Sequence, residues 1–173
     1  MAPVEIAVDD YIEHHRPRAA RELEYFSRVL RSDEEAVSRA ALAQLPNGNR
    51  HPHQRRIPRA ALEESRDRLL ENLPQLRASA NFDDLFELIN ALIRPIPKVG
   101  ELTVYDTALR IGARLGLEPE KVYVHAGTRD GAHALGFAGD RHAIELDELP
   151  APIRRLTARE AEDLLCIYKS KLR

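Results

Sequence analysis

Cysteine is nearly absent from this chain. Cys166 is the one thiol in 173 residues, which excludes an internal disulfide framework and fits a reducing cytoplasm. Set in a Leu-Leu-Cys-Ile-Tyr run, it is expected to pack in the core and not to act as a nucleophile. Long apolar runs are missing too: none approaches the roughly 20 residues that cross a bilayer. Met1-Ala2-Pro3 opens no basic-then-apolar signal segment, so no membrane partner is expected. No repeat of solenoid period and no low-complexity tract is present. Positive charge is not in excess either. The net charge is −2, whereas dedicated DNA-binding domains are usually basic.

What is present is a globular composition, 43% hydrophobic and 31% charged, in a chain long enough to bury a real core. Charge is distributed unevenly. Residues 50–77 hold seven Arg against four acids, whereas residues 1–49 hold six basic against nine acidic side chains. A single domain is expected over 1–173, with N-terminal helices over 1–49 and a basic connector over 50–57. A core over 58–136 and a C-terminal segment and helix over 137–173 complete it.

Nearly every segment has helical spacing, and the expected class is all-α with at most a minor β-ribbon. Leu23, Phe26 and Leu30 lie on one face of a helix over 17–30. Ser32 to Glu35 resembles a capping box that opens a second helix to about residue 44, and Pro46-Asn47-Gly48 closes it. Pro58 suits the first position of a helix over 59–73, which Pro74 breaks or bends. Asn81 is the expected N-cap of the next helix, with Asp83 and Asp84 in its first turn. Thr157 and Glu160 form a capping box for a last helix over 158–172. Val122-Tyr123-Val124 has strand propensity but is short. It is read mainly as a bent lead into a helix, with 143–146 as a possible ribbon partner. The four glycines between 127 and 139 predict turns around a short helix.

The most informative stretch is Ile96-Pro97-Lys98-Val99-Gly100-Glu101-Leu102-Thr103. It joins the helical pattern over 82–94 to another over 103–115 through a tight turn. That is the layout of a helix-hairpin-helix, although an ordinary αα-corner has the same outline. In such a hairpin Gly100 lets backbone approach a ligand closely. The N–H groups opening the second helix present positive partial charge to a phosphate, and Lys98 adds a cation beside them.

Ile96-Pro97-Lys98-Val99-Gly100 resembles the leucine-proline-glycine-valine-glycine hairpin of the helix-hairpin-helix DNA glycosylase superfamily. In that superfamily a valine-aspartate-valine/threonine-histidine segment follows about twenty residues later. Here Val122-Tyr123-Val124-His125 begins 22 positions after Gly100. The resemblance covers roughly 82–135 and implies a helical scaffold with a phosphate grip and a relation to DNA repair. It does not extend to the base-excision chemistry. Leu102 stands where the bifunctional members carry a Schiff-base lysine, and Tyr123 where an aspartate stabilises the transition state. A phenol is uncharged near neutral pH and cannot replace that aspartate. Lys98 replaces the first hairpin glycine. The stretches ELTVYDTALRIG and DLLCIYKSKL also resemble segments of small bacterial proteins without an assigned function.

Three constellations carry candidate chemistry. Asp106 is a candidate general base or metal ligand near a bound phosphate, against the simpler pairing with Arg110 four residues on. Arg50-His51-Pro52-His53-Gln54-Arg55-Arg56 is a solvated basic loop, a phosphate-binding rim, or part of a metal site. The last would take further ligands from His14, His15, His125 or an acid after folding. No spacing specifies zinc, and no metal site or cofactor is assigned. Gly127-Thr128 resembles a bend into an N-capped helix, read either as a plain cap or as N–H groups that hold an anion beside His125 and Arg129. His125, just before the bend, is placed for acid–base work if a cleft opens there.

The expected function is sequence-independent DNA binding. Lys98, Gly100, Leu102 and Thr103 grip one phosphate, and Arg50, His51, His53, Arg55 and Arg56 contact its neighbours. One alternative is an enzyme acting on nucleic acid or nucleotide through Asp106, Tyr123 and His125. Another is a protein-interaction domain with a protein partner and no nucleic acid.

Overall fold

The computed structural model describes residues 3–172. Met1 and Ala2, on which the signal-segment expectation rests, lie outside the described residues. The architecture is all-α with one small ribbon, as periodicity predicts. In chain order the helices are α1 (Pro3–Asp10), α2 (Arg16–Glu24), α3 (Asp33–Ala41), α4 (Arg59–Glu71) and α5 (Leu73–Arg77). They continue with α6 (Phe82–Ile93), α7 (Glu101–Leu115), α8 (Ala126–Ala134) and α9 (Ala158–Ile167). Tyr11–His15 and Tyr25–Val29 are π-helical stretches that follow α1 and α2. Among the described residues no helix is long and apolar enough to cross a membrane.

The chain divides into two compact units, one of residues 21–118 and one that combines 1–20 with 119–173. Ala7, Val8 and Tyr11 share a core with Leu149, Leu164 and Leu165 from the far end of the chain, a pairing that no local period reports.

In the 21–118 unit the capping signals act as their chemistry predicts. The Ser32 hydroxyl accepts the Glu35 N–H at 3.1 Å, and the Glu35 carboxylate reaches back to the Arg31 N–H at 3.1 Å. Asn81 accepts the Asp84 N–H at 2.8 Å. Pro58 stands one residue earlier than expected, as the N-cap of α4. Pro74 sits at the start of α5, where its missing N–H costs nothing. On α6, Leu85, Ile89 and Ile93 recur every four residues and are fully buried, each contributing about 1.5–3 kcal/mol by leaving water. Gly116 closes α7 in the left-handed conformation, φ 74°.

In the other unit Val122–Tyr123 (β1) pairs antiparallel with Ala143–Ile144 (β2), in register Val122 with Ile144 and Tyr123 with Ala143. This corrects the preferred expectation of a bent lead into a helix. Val122 and Ile144 are both fully buried, and the short ladder satisfies backbone groups that burial takes from water. Val8, Tyr11, Leu164 and Leu165 belong to the same core. A Cβ on Gly131 would lie 2.2 Å from the Leu165 carbonyl oxygen, so α8 and α9 approach at a spacing open only to glycine. Helix α9 ends at Ile167, short of the expected 172, and α1 was not expected from the sequence.

Candidate functional site

The turn between α6 and α7 is built from a few local forces. Ile96 and Val99 are buried and anchor it, while Pro97 and Lys98 are exposed at its tip. The Val99 N–H donates to the Ile96 carbonyl at 3.1 Å. Pro97 and Lys98 are therefore the central residues of a four-residue turn. Proline suits the first of these positions, and a left-handed residue at the second makes the turn type II. Lys98 takes that conformation, with φ 73°. A non-glycine residue held there costs roughly 1–2 kcal/mol. The Arg94 guanidinium donates to the Val99 carbonyl at 2.9 Å and braces the turn.

Gly100 is the N-cap of α7, extended at φ −101° and without a side-chain cap. Nothing lies within 4 Å of where its Cβ would be. The first helical bond runs from the Val104 N–H to the Gly100 carbonyl. The Glu101, Leu102 and Thr103 N–H groups therefore precede the ladder and carry the positive end of the helix dipole. Thr103 is buried as a side chain and Leu102 partly so; only their backbone is offered here. Glu101 is exposed beside them.

The basic loop folds back onto α7. A 3-10 turn at Pro52–Gln54 follows His51, whose Nδ1 accepts the His53 N–H at 3.3 Å. This places His53 Nδ1 3.4 Å from Asp106 Oδ2, and Gln54 Nε2 donates to the same oxygen at 2.6 Å. On the other side of His51, Nε2 lies 3.5 Å from Glu22 Oε2. Arg110 lies between the two acids: its Nε donates to Glu22 Oε1 at 3.2 Å, and Nη2 stands 3.9 Å from Asp106 Oδ2. Burial by itself raises the Asp106 carboxyl, but the His53 bond, the Arg110 charge and the Gln54 bond outweigh it and hold Asp106 below the usual range. Glu22 is likewise held low by His51 and Arg110 against the opposing effect of burial.

Thus His51, His53 and Asp106 come together, each offering a ligand atom within 4.8 Å of the others. The local pairing of Asp106 with Arg110 also exists, but Arg110 makes its closer contact with Glu22. Arg50 is a brace, donating to the Ile57 carbonyl at 2.7 Å, while Arg55 and Arg56 are exposed.

Tyr123 and His125 belong to the other unit, as do His14 and His15. His125 is 4% exposed and caps α8. Its Nδ1 accepts the Gly127 N–H at 3.1 Å, and its Nε2 donates to Glu162 Oε1 at 2.6 Å. His14 Nδ1 lies 3.1 Å from Asp10, and His15 stacks on Tyr11. Cys166 is partly buried near Gly127.

Glu22, Gln54 and Arg110 were not singled out from the sequence as site residues. Gln54 lies within the basic loop and carried a usable signal; Glu22 lies far from the loop in sequence and carried none. Comparison with family models, curated proteins and solved structures finds no match.

Proposed function

We propose that residues 82–115 form a helix-hairpin-helix that binds the phosphate backbone of DNA without reading base sequence. The observation that carries this is Lys98. A lysine is kept in a left-handed turn position where glycine is less costly, directly ahead of a helix N-terminus that has no side-chain cap. Strain of this kind persists where the side chain has a use. Here the use is a cation beside N–H groups that already favour an anion. The resemblance to the glycosylase hairpin supports the same reading, since that family carries glycine where Lys98 stands.

The 21–118 unit has fifteen Arg and Lys against fifteen Asp and Glu, so attraction to DNA is local to the hairpin and the exposed Arg55 and Arg56. Contacts of this type set affinity and position but carry no base identity. An enzymatic reading through Asp106, Tyr123 and His125 has less support, because His125 has both ring nitrogens engaged inside its own unit.

The test is a pair of variants measured on duplexes of unrelated sequence. Lys98→Gly is expected to stabilise the protein by about 1 kcal/mol while weakening DNA binding equally on every duplex. Lys98→Glu is expected to weaken it further and to lower the salt dependence by about one unit. Unchanged affinity at low salt in both variants removes the hairpin from the DNA reading.

A further inference from the structure

The gathering of His51, His53 and Asp106 has a geometry that phosphate binding does not use. We propose that these three side chains bind one divalent transition-metal ion of the zinc class, with Gln54 as the residue that positions Asp106. The inference is independent of DNA binding.

Distances make the first argument. A histidine hydrogen-bonded to a carboxylate for its own sake closes to about 2.7–2.9 Å. His53 to Asp106 is 3.4 Å. Ligand atoms held at about 2.0–2.1 Å around a tetrahedral ion stand about 3.3–3.4 Å apart. The His53–Asp106 spacing matches one edge of such a tetrahedron, and the ligand atoms of all three side chains lie within 4.8 Å of one another.

Charge and donor type make the second. Asp106 and Glu22 put two carboxylates around the imidazoles, against the single guanidinium of Arg110. An anion would face both acids, whereas a dication meets them favourably. Two imidazole nitrogens select a zinc-class ion over magnesium or calcium, which take oxygen ligands. His53 is half exposed, which leaves the fourth coordination position open to solvent.

Gln54 makes the third. The residue is 1% exposed, and while its amide nitrogen holds Asp106, its Oε1 is buried with no hydrogen-bond partner among the described residues. A buried acceptor without a donor is costly. A water on the metal supplies that donor, and the Gln54–Asp106 bond is the kind of outer contact that orients a ligating carboxylate.

The experiment is calorimetric titration of chelator-treated full-length protein with Zn2+, with Co2+ as a spectroscopic probe. The expected result is one Zn2+ per chain and a visible Co2+ band of low-coordinate type. Gln54→Ala is expected to lower Zn2+ affinity about 10–100-fold, and His53→Ala and Asp106→Asn to lower it further. His142→Ala, an exposed histidine outside the cluster, leaves affinity unchanged. His53 is half exposed, so His53→Ala keeps the fold even if Asp106→Asn does not. No Zn2+ binding, or equal binding by the parent protein and His53→Ala, overturns the proposal.

Discussion

Histidine meets carboxylate in both units, and the two meetings differ in kind. His125 and Glu162 are 4% and 5% exposed, stand 2.6 Å apart, and the second ring nitrogen takes a backbone N–H. Every ring position is used, and the ring caps α8. At His51, His53 and Asp106 the carboxylate distances are longer, one ring is half exposed, and a buried amide oxygen has no donor. The same residue types therefore meet at close range inside one unit and at longer spacings, on a half-exposed loop, in the other. Distance and the balance of donors and acceptors separate the two cases; residue identity does not.

The glycines carry the largest expected contrast. Gly131→Ala drives a Cβ into the Leu165 carbonyl and should lower stability by about 1–3 kcal/mol or more, read by denaturant unfolding. Gly100→Ala meets open space and should change stability by less than about 0.5 kcal/mol, while weakening DNA binding. Comparable losses of stability in both would erase the distinction between a packing glycine and a ligand-approach glycine.

The histidine contrast comes next. Glu162→Ala leaves His125 buried without its acceptor and is expected to cost about 1–3 kcal/mol. His53→Ala, at a half-exposed position, should fall within about 0.5 kcal/mol of the parent in the absence of metal. Loss of stability at His53 as large as at Glu162 would make the loop cluster a structural network like its counterpart.

A smaller effect concerns acid. Burial works to raise Glu160, but the Arg16 guanidinium and the Thr157 N–H overcome it and hold its carboxyl low. A depressed carboxyl contributes stability that is present above its ordinary pKa, near 4.3, and lost as pH falls through the depressed value. Arg16→Ala should therefore be less stable than the parent by about 1 kcal/mol at neutral pH. The gap should narrow below about pH 4, and a pH-independent gap would point to packing instead of charge.

Much of this was legible locally. Ser32, Asn81 and Thr157 mark helix starts because a cap acts within three residues, and Ile96 to Gly100 marks a turn because proline and glycine restrict their own backbone. Lys98 in a left-handed position was not legible, since lysine has no preference for it and the turn that holds it is anchored by buried Ile96 and Val99 and braced by Arg94. The pairing of β1 with β2 and the return of the loop onto α7 depend on contacts across 20 to 53 residues, which no period reports. Asp106 and the two histidines were each recognisable as candidates; their meeting was not.

The smallest expected effect is none at all. With Leu102 and Tyr123 in place of lysine and aspartate, borohydride trapping on abasic DNA should give no covalent adduct through the hairpin. An adduct abolished only by changing another lysine would restore an enzymatic reading with a different nucleophile.

The most direct measurement is backbone amide NMR of the protein titrated with a short duplex. If the hairpin grips phosphate, the amide signals of Lys98, Gly100, Glu101, Leu102 and Thr103 shift first and furthest, and shift alike for duplexes of unrelated sequence. Shifts confined to residues 119–173, with these amides unmoved at saturation, would contradict it.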